Sequence, residues 1–189
     1  ALVARAFVFM AWPSIMTTWS NPLNFGTWFA DLTSGATPLG GAEHSLLEMF
    51  LGNIGGCLGE TSALAIIVGG LYLLLKGHID WRIPVGYLGT AAVFSFLSSQ
   101  FSMQDVAFNL LAGGMLFGAV FMATDMVTSP TTKKGRLIFG IGLGLITMFV
   151  RKYASAPEGV TYAILFMNAL VPLIDRYTVP KTFGEVKGS

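Results

Sequence analysis

The sequence has few charged residues: Asp, Glu, Lys and Arg make up 11% of its 189 residues, whereas 53% are hydrophobic. A soluble domain carries about 25% charged residues, because its surface must face water. This shortage excludes a soluble globular domain, and the mean hydropathy of +0.67 supports the same conclusion. The net charge is only +1 and no basic stripe is present, so nucleic acid is not an expected partner.

Cysteine and histidine are also scarce, which limits the chemistry that the chain can supply alone. The single cysteine, Cys57, cannot form an internal disulfide or complete a metal or iron–sulfur site by itself. The two histidines, His44 and His78, are far apart and lack the spacing of metal ligands. The sequence therefore predicts no metal site.

Long apolar segments, by contrast, are abundant. Residues 1–16 are short for a span and contain Arg5, so we interpret them as the end of a truncated transmembrane helix. Five further segments approach the ~20 residues that cross a bilayer: 61–76, 83–98, 106–124, 137–150 and 160–174. The prediction is an all-α integral membrane protein, a bundle of five full transmembrane helices plus the end of a sixth.

The polar stretches complete the predicted organisation. Residues 17–60 are rich in Gly, Ser, Thr, Asn and Pro, and 44–57 within them are too short to span, which favours a re-entrant segment. A five-helix membrane domain is expected over 61–176, followed by a tail at 177–189.

Basic residues predict the orientation of the bundle. If the five helices alternate, Arg5 and most other basic residues share one side, which the positive-inside rule makes cytoplasmic: Lys76, Arg82, Lys133, Lys134, Arg136, Arg176, Lys181 and Lys187. The opposite side has only Arg151 and Lys152. The long connection, 17–60, is therefore expected outside the cytoplasm.

Glycine pairs four residues apart predict close helix packing. Gly114 and Gly118, and likewise Gly140 and Gly144, place small residues on one helical face. Gly140, Gly142 and Gly144 superficially resemble a nucleotide-binding fingerprint, but no strand precedes them. Packing is the favoured interpretation.

One polar segment, 31–39, offers three hydroxyl groups in a run of small residues. Gly35 and Ala36 leave the hydroxyl of Thr37 sterically open, and Pro38 fixes the turn that follows. A modifying enzyme could therefore reach Thr37. On composition alone, an ordinary polar loop with a capping Asp31 or Ser34 is favoured.

Residues 31–37, Asp-Leu-Thr-Ser-Gly-Ala-Thr, resemble the signature Asp-x-x-Ser-Gly-Ala-Thr at which a flavin transferase attaches FMN. It occurs in the RnfD subunit of Rnf-type ferredoxin:NAD oxidoreductases and in the NqrB subunit of sodium-pumping NADH:quinone reductases. Further stretches agree in order along nearly the whole chain: 52–56, 59–62, 121–125, 157–159 and 162–168. Ser129-Pro130 and 171–177 are more similar to the Rnf subunit. The sequence thus resembles the NqrB/RnfD family.

The resemblance implies that Thr37 carries FMN as a phosphoester, with Ser34, Gly35 and Ala36 completing the attachment site. Asn53 could line a flavin pocket, or its glycine-rich surroundings could serve packing alone. Riboflavin, a second and non-covalent flavin, is also implied, although no residue here identifies its site.

The resemblance further implies a multi-pass protein of the inner (plasma) membrane and a fold of two related halves. This chain would be the C-terminal portion. The flavin would relay electrons between other Rnf subunits, coupled to movement of Na⁺ or H⁺. A flavin transferase would be a further partner, and one chain would not be catalytically complete.

Three acidic residues are candidates for an ion path, because ionisable groups at membrane depth are costly and often functional. Asp125 and Asp175 lie at C-terminal helix ends, where the helix dipole disfavours a negative charge, and Arg176 adjoins only the latter. Interfacial solvation explains both equally well. Glu60 lies at an N-terminal end, where the dipole stabilises an acid and a structural role is favoured.

Two alternatives stay open on the residues alone. Glycine-rich helices, a re-entrant segment and an internal duplication also suit a transporter or channel without a redox cofactor. A purely structural membrane scaffold is the other alternative. Thr37 discriminates among them, because only the redox interpretation gives its hydroxyl a function.

Overall fold

The structure, a computed structural model, describes residues 2–12, 19–20, 34–35, 45–52, 62–98, 102–153 and 159–180. The regular elements in these ranges are helices except for two short strands, so the all-α class is confirmed. In chain order the elements are α1 (Leu2–Ala11), β1 (Trp19–Ser20), β2 (Ser34–Gly35), α2 (Leu46–Leu51), α3 (Ala63–Leu75), α4 (Arg82–Ser98), α5 (Met103–Leu111), α6 (Met115–Phe117), α7 (Lys133–Tyr153) and α8 (Gly159–Thr178). A π-helical turn, Gly118–Met122, continues α6.

Serine residues begin three of these helices. The hydroxyls of Ser45, Ser62 and Ser102 each accept a backbone N–H three residues further on, which satisfies a donor that the first helical turn leaves free. At Ser45 the side chain of Glu48 also accepts the serine N–H at 3.0 Å, which completes a capping box. Gly52 and Gly77, in left-handed backbone conformations, follow the ends of α2 and α3.

The centre of the bundle is formed by α4, α7 and α8, with α7 in the middle. A Cβ atom on Gly140 would lie 2.7 Å from the carbonyl oxygen of Ile83, and one on Gly144 would lie 2.7 Å from that of Tyr87. The backbones of α4 and α7 therefore touch where these glycines lie, and the packing function predicted for Gly140 and Gly144 is confirmed. Gly118 likewise faces Val160 of α8.

Large apolar side chains fill the space that these close contacts leave. The fully buried residues at the centre come from α4, α6, α7 and α8: Ile83, Tyr87, Met115, Phe139, Leu143 and Ile164. The exposed surface of the same helices is also apolar; Val85, Val93 and Leu97 of α4 are each more than half exposed. An apolar exterior around an apolar core is the pattern of a helix bundle solvated by lipid.

One predicted span, 106–124, is broken in the structure. Helix α5 ends at Leu111, and the chain resumes helical structure at Met115 after a bend of 66°. Gly113 adopts φ +67°, a left-handed conformation that a regular right-handed helix does not contain. The predicted apolar segment 106–124 therefore consists of two half-helices with a bend at Gly113–Gly114, a break that the sequence analysis did not predict.

The lengths and hydropathies of the observed helices identify fewer membrane spans than the apolar segments of the sequence predict. Among the described residues, α8 is the one helix both long and apolar enough to cross a membrane, and the bent pair Met103–Leu111 and Met115–Met122 makes a second if counted as one span. Helix α7 has 21 residues but carries basic residues at both ends. Helices α3 and α4 have 13 and 17 residues.

The connection 17–60 is described only in part. The predicted re-entrant segment, 44–57, is visible over its residues 45–52, where α2 is six residues long and ends at Gly52. The first and last residues of the connection lie outside the described ranges, as does the tail from residue 181.

Candidate functional site

The proposed attachment segment is described at two of its residues. Ser34 and Gly35 form strand β2, which pairs antiparallel with β1 in the register Trp19 to Gly35 and Ser20 to Ser34. This pairing holds the backbone extended directly before Ala36 and Thr37, which themselves lie outside the described residues. Asn53, Glu60, His44 and Cys57 also lie outside them.

Asp125 lies in the connection that follows the π-helical turn, and its side chain is exposed. Its carboxylate accepts hydrogen bonds from the backbone N–H of Val127 and from the hydroxyl of Thr128, each at 3.4 Å. A local turn therefore satisfies the charge that the end of the preceding helix disfavours.

Asp175 is half-buried in the last turns of α8 and bonds across to the same connection. Its two carboxylate oxygens lie 3.1 and 3.4 Å from the backbone nitrogen of Thr131, which donates to them. Thr131 lies just before the start of α7, so the carboxylate lies beside the positive end of that helix dipole. The structure thus brings Asp125 and Asp175 to one connection, although they do not contact each other through these bonds.

Sequence reasoning missed an ion cluster centred on Asp80, between α3 and α4. The carboxylate accepts hydrogen bonds from the guanidinium of Arg136 at 2.7 Å, the guanidinium of Arg82 at 3.0 Å and the backbone N–H of Arg82 at 3.1 Å. Burial raises the pKa of Asp80, but these hydrogen bonds and the charge of Arg82 outweigh it and hold that pKa below its usual value. Asp80 and Arg136 are too far apart in sequence for any local pattern to pair them.

Arg151, near the end of α7, stabilises the break between α5 and α6. Its guanidinium donates to the carbonyl oxygens of Asn109 at 2.7 Å and Ala112 at 3.0 Å. These carbonyls lie at the C-terminal end of α5, where the helix leaves acceptors without intrahelical partners and the dipole attracts a cation. The sequence interpretation used Arg151 only to orient the bundle; the pair Gly113–Gly114 was the available signal for a break.

Two more polar contacts lie between the helices. The hydroxyls of Tyr87 and Thr147, both 0% exposed, are 2.8 Å apart. The side-chain amide of Asn109 donates to the hydroxyl of Ser95 at 2.8 Å. Buried polar groups are costly without partners, and each of these hydroxyls has one, so both contacts act as specific links between α4 and its neighbours.

The polar contacts divide the bundle into two ends. At one end, Asp80 in the connection before α4 pairs with Arg136 of α7. At the same end, Thr131 in the connection before α7 bonds Asp175 near the end of α8. The other end holds Arg151 and Lys152, whose ammonium group bonds the Ser98 hydroxyl at 2.8 Å. The described loops that the charge pattern assigns to one side therefore do meet at one end.

Comparison with known proteins gives consistent matches over nearly the whole chain. The model of the NQR2, RnfD, RnfE family matches residues 1–184. The D subunit of a Na(+)-translocating ferredoxin:NAD(+) oxidoreductase complex from Acetobacterium woodii is 46% identical, with 99% of this chain and 59% of the relative covered. The D subunit of a proton-translocating ferredoxin:NAD(+) oxidoreductase complex from Clostridium ljungdahlii is 42% identical, with 97% and 60% covered.

A third relative, the D subunit of an ion-translocating oxidoreductase complex from Stutzerimonas stutzeri, is 43% identical, with 98% of this chain and 62% of the relative covered. The chain thus spans about three fifths of the length of these curated relatives.

Proposed function

Because the chain belongs to the NQR2, RnfD, RnfE family, we propose that it is part of RnfD, a membrane subunit of an ion-translocating ferredoxin:NAD oxidoreductase complex. The observation that carries this proposal is the extent of the match, which runs through residues 1–184 and includes relatives at 42–46% identity. In this role the chain carries electrons between other subunits of the complex. The NAD and ferredoxin sites belong to those subunits.

The proposed electron carrier is FMN joined through its phosphate to the hydroxyl of Thr37 by a flavin transferase. The signature formed by Asp31, Ser34, Gly35, Ala36 and Thr37 supports this assignment. The pairing of β2 with β1 supports it as well, because it gives the backbone before the acceptor a fixed, extended course. The bound flavin supplies the redox chemistry, and the protein supplies its position and surroundings.

The proposed topology has five full spans after the partial span that contains α1: α3, α4, the broken pair of α5 and α6, α7 and α8. The two polar ends support this arrangement, since Asp80, Arg136, Thr131 and Asp175 meet at one end and Ser98 and Lys152 meet at the other. We assign the end with Asp80 and Arg136 to the cytoplasm because basic residues accumulate there. With this orientation the attachment segment is proposed to lie on the opposite, extracytoplasmic side.

We propose that acidic residues line a path for ion movement. Asp125 is the leading candidate, Asp175 is the next, and Glu60 is the last of the three. The exposure of Asp125, and the hydrogen bond from Thr131 of the same connection to Asp175 of α8, support an entry position at the cytoplasmic end. In membrane vesicles, Asp125→Asn is expected to lower ion uptake for each NAD molecule reduced, and an unchanged ratio would remove Asp125 from the path.

Asn53 is proposed to line a flavin pocket; loss of a non-covalent flavin from Asn53→Ala would support this, and full retention would oppose it.

The flavin assignment is tested by the fluorescence of the denatured subunit in a gel. Wild type, Thr37→Ala and the matched control Thr33→Ala are produced together with an active flavin transferase. We expect fluorescent bands for wild type and Thr33→Ala and a dark band for Thr37→Ala. A dark wild-type band would favour the rival function, a transporter or channel without a redox cofactor, which the glycine-rich helices and the broken span also suit.

A further inference from the structure

A buried side-chain amide lies at the centre of α8. Asn168 is midway along this helix, which runs from Gly159 to Thr178 and is long and apolar enough to cross a membrane. The amide oxygen of Asn168 is buried, and no group within the described residues donates a hydrogen bond to it. A buried polar atom without a partner is costly, most of all inside a membrane. We therefore expect this oxygen to have a ligand.

A proline four residues later frees a second oxygen of the same residue. Pro172 lies inside α8 and has no N–H, so the helical hydrogen bond from residue 172 to the main-chain carbonyl of Asn168 cannot form. The ring of Pro172 is exposed, so it is not needed to fill the core. Asn168 thus presents two oxygen acceptors at the centre of the helix, one from its side chain and one from its backbone.

Asn168 belongs to a line of polar residues along one face of α8. Thr161, Asn168 and Asp175 follow one another at intervals of seven residues, which is two helical turns or about 10.5 Å for each step. Thr161 is buried near the start of the helix. Asp175 bonds Thr131 at the end of the bundle that we assign to the cytoplasm. The two oxygens of Asn168 therefore share a face with an acid already proposed for ion movement.

The helix that packs beside this face is also irregular. The π-helical turn that continues α6 begins at Gly118, where a Cβ atom would lie 4.0 Å from Ile164, one turn before Asn168. Within this turn the N–H of Ala123 bonds the carbonyl of Gly118, five residues back, rather than that of Ala119, four residues back. Turns of this kind are frequent at functional sites. Regular helical hydrogen bonding is thus interrupted in two neighbouring helices near Asn168.

We propose that the two oxygens of Asn168 bind Na⁺ as it crosses the membrane. Amide and carbonyl oxygens are preferred ligands of hard cations, and carbonyls freed at breaks in transmembrane helices coordinate Na⁺ in transporters. The nearest acid of α8 is two turns away, so the site suits a monovalent ion better than Ca²⁺ or Mg²⁺, whose sites use carboxylates. This inference rests on the proposed function, because it gives the ion moved by the complex a binding position in this subunit.

The test measures Na⁺ binding as thermal stabilisation of the purified whole complex. Melting temperatures are recorded over a series of NaCl concentrations, with KCl at equal ionic strength as the reference, since a ligand of the folded state raises the melting temperature. Asn168→Leu removes the amide oxygen at similar volume. Pro172→Ala keeps Asn168 and returns an N–H to its main-chain carbonyl. Phe166→Leu changes an exposed residue on the opposite face of α8 and is the matched control.

We expect NaCl to stabilise wild type and Phe166→Leu alike. The half-saturating Na⁺ concentration should rise about tenfold in Asn168→Leu, because a ligand is lost. It should rise about fivefold in Pro172→Ala, because the restored hydrogen bond competes with Na⁺ for the carbonyl. A purely structural role predicts no such rise for Pro172→Ala, since this change repairs the helix. Equal melting of wild type in NaCl and KCl would overturn the proposal, as would a wild-type Na⁺ response in either variant.

Ferredoxin-dependent NAD reduction by the same preparations separates this inference from the proposed function. A complex that reduces NAD, but whose Na⁺ response is unaffected by the substitutions, contradicts the site at Asn168 alone. A complex that binds Na⁺ through Asn168 but does not reduce NAD contradicts the proposed function and leaves the site in place. If Asn168→Leu fails to assemble, Pro172→Ala still decides the question.

Discussion

Individual polar side chains in this bundle act mainly by satisfying backbone and charged groups that the membrane would leave without partners. Arg151 donates hydrogen bonds to two carbonyls at the break between α5 and α6, and Asp80 accepts hydrogen bonds from two arginines at the opposite end. The sequence shows each of these residues, but their partners are distant in the chain. Residue types therefore predicted which end of the bundle is basic, and could not predict which groups pair there.

Replacement of Arg151 by alanine should destabilise the break between α5 and α6. The carbonyls of Asn109 and Ala112 would lose their charged donor, and hydrogen bonds to charged groups contribute about 1.5–3 kcal/mol each. We expect a clearly lower melting temperature in detergent for Arg151→Ala and a smaller loss for Arg151→Lys, which keeps the charge.

Lys152→Ala is the matched control for Arg151, because Lys152 is exposed and donates its hydrogen bond to a surface serine. The change in the free energy of unfolding caused by Lys152→Ala should stay within about 0.5 kcal/mol. Equal melting temperatures for Arg151→Ala and Lys152→Ala would show that the break is held by packing alone.

Asp80 should make the stability of the protein depend on acid pH. Its pKa in the folded state lies below the ordinary value of 3.8, so the stabilisation is complete above that value and is lost as the pH falls through the lower, folded-state pKa. Thermal unfolding from about pH 6 down to about pH 3 should show a steeper loss for wild type than for Asp80→Asn.

At neutral pH, Asp80→Asn should already melt lower than wild type, because Arg82 and Arg136 lose their shared carboxylate. Asp105→Asn, which changes an exposed acid at the start of α5, serves as control and should follow the wild-type pH dependence. If Asp80→Asn also followed the wild-type pH dependence, the Asp80 cluster would contribute nothing measurable to the stability of the fold.

At the scale of the helices, the glycine pattern predicted packing correctly but gave no prediction of the break within 106–124. Gly140 and Gly144 are the points where α7 touches α4, as their spacing indicates. The same residue type ends a helix at Gly113, where φ is +67°. Spacing alone does not separate these uses, because both require the absence of a Cβ atom and only the neighbouring elements decide between close approach and a turn.

Leucine at Gly140 should disrupt the bundle, whereas leucine at Gly89 should not. A Cβ atom at Gly140 would lie 2.7 Å from a backbone carbonyl of α4 that cannot move aside by a rotamer change, but one at Gly89 meets open space. We expect Gly140→Leu to lower the free energy of unfolding by more than about 3 kcal/mol, with loss of folded protein in size-exclusion chromatography. A monodisperse, wild-type-like Gly140→Leu would contradict the close contact of α4 and α7.

At the scale of the whole molecule, composition predicted an all-α membrane protein and charge predicted two distinct ends. The boundaries of 17–60 and the positions of Thr37, Asn53 and Glu60 lie outside the described residues, so those predictions stand as made. The break within 106–124 escaped prediction because hydropathy averages over a window and is insensitive to a local bend.

The topology can be tested by labelling single cysteines in intact cells with a membrane-impermeant maleimide. With Cys57 replaced by serine, Lys152→Cys should react from outside and Lys134→Cys only after the membrane is opened, because these exposed residues lie at opposite ends of α7. The reverse pattern would invert the assigned orientation. Reaction of both positions in intact cells would argue that α7 does not span.

The most direct test of the redox function is ferredoxin-dependent NAD reduction, with coupled Na⁺ or H⁺ uptake, in inverted membrane vesicles that contain the whole complex. Wild type and Thr33→Ala should show both activities, and Thr37→Ala should lose both, because the electron path through the subunit would be interrupted. If Thr37→Ala kept NAD reduction and ion uptake at wild-type levels, a flavin on Thr37 would not be the electron carrier and the central claim would be wrong.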